Sequence, residues 1–213
     1  MGVMAKYVVF DFDGTLVDSK AVFLSVFNQL ADKYRFKRID EENINDVRQL
    51  SMRERIRVLE VPVYKLPLLT AEFISLYKRS IDSILLINGI TEVLFRLMHA
   101  GYKTAIVSSN AESSIRSFLH KNAITHIDEI YTSSRIFGKD KVIGKFLRKN
   151  NLHTNDMIYI GDEQRDIIAC QKHGVRIVWV GWGFETREAV AESRPHFMAF
   201  TPAELLQIVQ TNL

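Results

Sequence analysis

Tyr7-Val8-Val9-Phe10-Asp11-Phe12-Asp13-Gly14-Thr15-Leu16-Val17-Asp18 is the stretch on which the fold turns. Its unbroken apolar run, 7–10, has the character of a short strand buried on both faces, as in a parallel sheet covered by helices. Two aspartates then follow at the carboxyl end of that strand, where open α/β sheets place their ligands. Asp11 and Asp13 repel each other, and each raises the other's proton affinity. Such a pair suits a site holding a cation, or a proton used in chemistry. An Asp-Gly hairpin turn would instead require a second strand after Gly14. The residues beyond Gly14 have helical spacing: Val22, Phe23, Val26, Phe27 and Leu30 mark one helix face.

A chain of 213 residues is one domain, or one core with a modest insertion. Its 47% apolar and 25% charged content is that of a globular protein, and a net charge of +3 gives no reason to expect nucleic acid. Cys170 is the only cysteine, so no internal disulfide forms, which suits a reducing compartment. No apolar run approaches a membrane span, and the amino terminus enters a core strand directly. The expectation is a cytoplasmic protein with no membrane or nucleic-acid partner.

Residues 18–84 show helical patterns only. Asp18 or Ser19 can cap the first helix, Ser51 and Glu54 form a capping box, and Pro67 suits the start of another helix. From Gly89 onward, helix alternates with short apolar strand. Strands are expected at 103–107, 129–131, 157–160, 176–180 and 196–200, and helices at 91–100, 111–121, 139–150, 163–173 and from Thr201-Pro202 to the end. Such alternation means a parallel, doubly wound α/β sheet. The helical stretch 18–84 therefore interrupts a core made of 1–17 and 85–213.

Three later positions could meet the opening aspartates. The strand at 103–107 ends in Ser108-Ser109-Asn110, whose hydroxyls and backbone N–H groups suit a phosphate oxygen or, equally, a turn and N-cap. Lys139 comes after Phe137-Gly138 at a helix start, where a lysine opposes the helix dipole unless an anion offsets it. The strand at 157–160 ends in Gly161-Asp162, with Asp166 one helical turn beyond.

In this order and at these strand ends, the residues resemble the haloacid dehalogenase-like hydrolase superfamily, over nearly the whole chain. Asp11-Phe12-Asp13-Gly14-Thr15 matches its first motif, Ser108 its second, Lys139 its third, and Gly161-Asp162 with Asp166 its fourth. A helical insertion directly after the first motif resembles the cap of the phosphoglycolate phosphatase-like branch, and Trp182-Gly183-Phe184 is also similar to that branch. The resemblance implies a Rossmann-like core and a phosphatase acting through an aspartyl-phosphate. Asp11 would be the nucleophile and Asp13 the acid and base. Mg²⁺ would be held by Asp11, the main-chain carbonyl of Asp13 and Asp162, with Asp166 in support. Ser108, Ser109 and Lys139 would hold phosphate oxygens. Lys139 starts a Lys-Asp-Lys run instead of the Lys-Pro of many relatives, so Lys141 is a second candidate. Arg48, Arg53 and Arg57 in the insertion could meet a substrate anion. The expected partner is a small phosphorylated metabolite, phosphoglycolate foremost. A phosphosugar mutase would use the same residues, and a non-catalytic regulatory module on this scaffold is the reading from another class.

Overall fold

The computed structural model describes residues 6–133 and 138–213. The first five residues of the expected core and Phe137 lie outside them. Strand β1, Tyr7–Phe10, is fully buried and lies at the centre of a six-stranded sheet. Its parallel neighbours are β4, Lys103–Ser108, and β6, Met157–Gly161, with Tyr7 opposite both Lys103 and Met157. Beyond β4 lies β5, Glu129–Thr132; beyond β6 lie β7, Arg176–Val180, and β8, Phe197–Ala199, all parallel.

Alternation along β1 divides the core. Val8 and Phe10 pack on one face with α5 (Ile90–His99), α6 (Glu112–Lys121) and α10 (Pro202–Asn212). Tyr7 and Val9 pack on the other with α7 (Lys139–Lys149), α8 (Gln164–Gln171) and Val190 of the short α9 (Arg187–Val190). Successive side chains of a strand point to opposite faces, so an apolar run without alternation requires helices on both. The fold is thus an α/β parallel sheet, and its strand order reverses at β1, the position where such sheets open a crevice at their carboxyl ends.

The connection from β1 contains a feature that periodicity does not reveal. Val17–Asp18 (β2) pairs antiparallel with Leu85–Leu86 (β3), so the chain leaves and re-enters the core side by side. Two residues per strand are too few to show a period of two. Between them lie helices α1 (Lys20–Tyr34), α2 (Ile44–Gln49), α3 (Met52–Val58) and α4 (Leu66–Ser80). Ser51 and Glu54 form the expected capping box at α3. Thr201 caps α10 through the Glu204 N–H, while the Glu204 carboxylate reaches back to Phe200 N–H. The helical segment packs on the core through an aromatic series: Phe184 meets Phe23, Phe23 meets Phe73, and Phe73 stacks on Tyr77.

Candidate active site

The end of β1 sets the centre of the site. The Asp11 N–H continues the ladder to the Ile160 carbonyl at 2.8 Å, which fixes its backbone against β6. The chain then turns sharply through Gly14, whose φ of +72° disfavours a side chain. A Cβ there would also lie 2.3 Å from Oδ2 of Asp162. Glycine therefore lets the two strand ends approach.

Around Asp11 the remaining groups converge. Lys139, the first residue of α7, is 3% exposed and donates to both Asp11 and Asp166. Its unfavourable place in the helix dipole is offset by these two carboxylates. Asp162 comes directly after β6; its Oδ1 accepts from Thr15 Oγ1 at 3.2 Å and its Oδ2 from the Phe184 N–H at 2.9 Å. Ser108 closes β4 and is buried, its Oγ accepting from the Asn110 N–H at 3.0 Å. Ser109 Oγ is buried without a hydrogen-bond partner among the described residues.

Burial dominates the electrostatics. It pushes the Asp11 carboxyl above its usual range, with Lys139 acting in the opposite direction. Asp162 is driven well above that range by burial and then by Glu163, Asp11 and Asp166. Asp166 is raised to about 6, again by burial, with Lys139 opposing. Burial would lower the Lys139 ammonium, but Asp11 and Asp166 outweigh it and its pKa rises. Carboxylate oxygens of Asp11, Asp162 and Asp166 lie within 4.8 Å of one another. Three buried hard-oxygen donors whose ionised forms are disfavoured by burial and mutual repulsion fit a divalent cation of the oxygen-seeking kind.

Asp13 faces another direction. Its Oδ1 accepts from the Tyr77 hydroxyl and its Oδ2 from Asn110 Nδ2 at 3.2 Å. Burial raises its pKa, against the hydrogen bonds of Tyr77, Ser19 and Asn110. Sequence patterning places Tyr77 on the apolar stripe of α4, and only its hydroxyl hints at more.

The basic residues separate clearly. Lys141 is exposed, whereas Lys139 is in the site. Arg48 donates from Nε to the Phe184 carbonyl at 2.6 Å and from Nη2 to that of Gly183 at 3.3 Å. Arg53 and Arg57 are exposed. Arg55, which helical spacing does not distinguish from its neighbours, is buried and pairs with Glu185 at 2.9 Å. Its guanidinium lies 5.0 Å from the centroid of the Phe184 ring. A cavity of 540 Å³ lies between α3 and α8, lined by Ser51, Arg53, Lys139, Glu163, Arg165 and Glu185 among others.

Known proteins match along the same lines. The family model described as haloacid dehalogenase-like hydrolase matches residues 8–180. A phosphoglycolate phosphatase of Synechococcus elongatus is 27% identical over 203 residues, covering 95% of this chain and 96% of its own. A pyrophosphatase of Bacillus pumilus is 23% identical over 211 residues, 95% of each chain. A haloacid dehalogenase-like hydrolase from Streptococcus pneumoniae superposes with a TM-score of 0.81 at 23% identity, over 97% of this chain and 99% of its own. With the carboxylates and serines at strand ends, the lysine at the start of α7, and a family match extending from β1 through β7, the chain belongs to the haloacid dehalogenase-like hydrolases.

Proposed function

We propose that the protein is a Mg²⁺-dependent phosphatase that hydrolyses a small organic phosphate monoester through an aspartyl-phosphate, with phosphoglycolate the leading substrate. The observation that carries this reading is the buried Lys139 ammonium seated between Asp11 and Asp166. It offsets the charge of a carboxylate that must approach an anionic phosphate. Asp11, the main-chain carbonyl of Asp13 and Asp162 would hold Mg²⁺, with Asp166 in support. When bound, the ion would neutralise charge on the phosphate oxygens.

Asp11 attacks phosphorus; its carboxylate oxygen forms the new P–O bond while the ester P–O bond breaks. Asp13 gives its proton to the departing oxygen. It then takes a proton from the water that attacks the aspartyl-phosphate, so Asp11 and Asp13 end as they began. Ser108, Ser109 and Lys139 hold the transferring oxygens. The Ser109 hydroxyl, a buried donor without a partner among the described residues, supports this role.

Residues 18–84 act as a cap over the strand ends and exclude water from the intermediate. Arg48 is engaged with the carbonyls of Gly183 and Phe184, whereas Arg53 is exposed at the cavity. Arg53 is therefore the candidate for a second substrate anion. The relative from Synechococcus supports phosphoglycolate, which carries both a phosphate and a carboxylate.

The test is a panel of phosphoglycolate, pyrophosphate, hexose phosphates and p-nitrophenyl phosphate, compared by kcat/KM with Mg²⁺. A peak at phosphoglycolate is expected, with no turnover by Asp11→Asn. Undiminished activity in that variant, or in excess chelator, would sink the mechanism.

A further inference from the structure

Asp13 is held at once by the core and by the helical segment. Asn110, after β4, donates to its Oδ2 at 3.2 Å. Tyr77, near the end of α4 in the helical segment, donates to its Oδ1. Both oxygens are thereby anchored, and rotation of the carboxylate would break both bonds.

The tyrosine is itself firmly placed. Its side chain lies in the main core with Val22, Val26, Ile81 and Ile84, and the residue is 5% exposed. Its ring stacks on Phe73 at 5.9 Å between centroids and 21° between planes. A buried tyrosine hydroxyl requires a partner, and here that partner is the carboxylate two residues after the nucleophile. A pure packing role needs only the ring, which phenylalanine would supply.

We propose that Tyr77 is a positioning residue for Asp13, and that its hydroxyl holds the acid/base carboxylate in the orientation proton transfer needs. The inference rests on the phosphatase reading, in which Asp13 protonates the ester oxygen as the P–O bond breaks. A general acid must stay within hydrogen-bond reach of that oxygen. Because Tyr77 belongs to the helical segment, proton transfer becomes tied to the seating of that segment.

Two esters and one conservative variant test this. The p-nitrophenolate group leaves without a proton, whereas the alkoxide of phosphoglycolate requires one. In Tyr77→Phe, kcat/KM for phosphoglycolate should fall roughly 10- to 100-fold, a fraction of the usual general-acid contribution, while that for p-nitrophenyl phosphate stays within about threefold. Asp13 also serves as base in the second step, so p-nitrophenyl phosphate should give this variant a pre-steady-state burst approaching one equivalent. Unfolding midpoints within a few degrees of each other would establish that packing is kept. Equal losses for both esters, or no loss for either, would overturn the positioning role while leaving the phosphatase reading intact. A wild type inactive toward both esters would overturn that reading and the inference together.

Discussion

Nη2 of Arg55 lies 2.9 Å from Oε1 of Glu185, with both side chains buried where α3 meets the loop after β7. Removing one member of a buried pair strands the other. At pH 8, Arg55→Met should destabilise the protein by about 3 kcal/mol in urea unfolding. Adding Glu185→Gln should recover at least about 1 kcal/mol of that loss. Strict additivity of the two substitutions would show that the pair is not coupled.

The same glutamate gives the stability a pH dependence. Burial, then the neighbouring Glu163, raises Glu185 from 4.5 to about 7, with Arg55 opposing. The folded protein therefore retains a proton there that the unfolded chain has released. Its contribution is fully present below pH 4.5 and is lost as pH rises through about 7. Without added metal, the unfolding free energy of the wild type should decline across this window more steeply than that of Glu185→Gln. The difference should be on the order of 2 kcal/mol. Parallel profiles would contradict the assignment.

A cation bound among the site carboxylates would stabilise the folded state by mass action. Millimolar Mg²⁺ should raise the unfolding midpoint of the wild type by several degrees and reverse on chelation. Asp162→Asn should abolish the shift. A shift retained in that variant would place the cation elsewhere.

Of the two lysines in Lys139-Asp140-Lys141, only the first reaches Asp11. Lys139→Met should lower kcat at least about 100-fold, the scale for losing one preorganised electrostatic group. Lys141→Met should stay within about twofold of the wild type. Reversed effects would exchange their roles.

The parts of this site legible in the sequence are those at strand ends. Asp11, Ser108 and Asp162 each terminate an apolar run, so topology alone brings them to one edge of the sheet. Lys139 is legible as a misfit, a cation at the wrong end of a helix. Arg55 is not, because it belongs to an arginine-rich stretch and its burial depends on Glu185, 130 residues away. Tyr77 is hidden for the opposite reason: its ring obeys the apolar period of α4, and periodicity says nothing about which partner the hydroxyl finds. The β2–β3 ribbon joins residues so distant in sequence that no local pattern marks it.

The central place of β1 has a further consequence, for biogenesis. Tyr7–Phe10 is synthesised before either neighbour, and its second edge is covered only when Met157–Gly161 arrives. At ordinary translation speeds that interval is roughly ten to thirty seconds. During it, the apolar strand that leads to Asp11 keeps one edge unpaired, a template for mispairing with other nascent chains. The yield of active protein should therefore respond to slower, cooler expression and to chaperone supply.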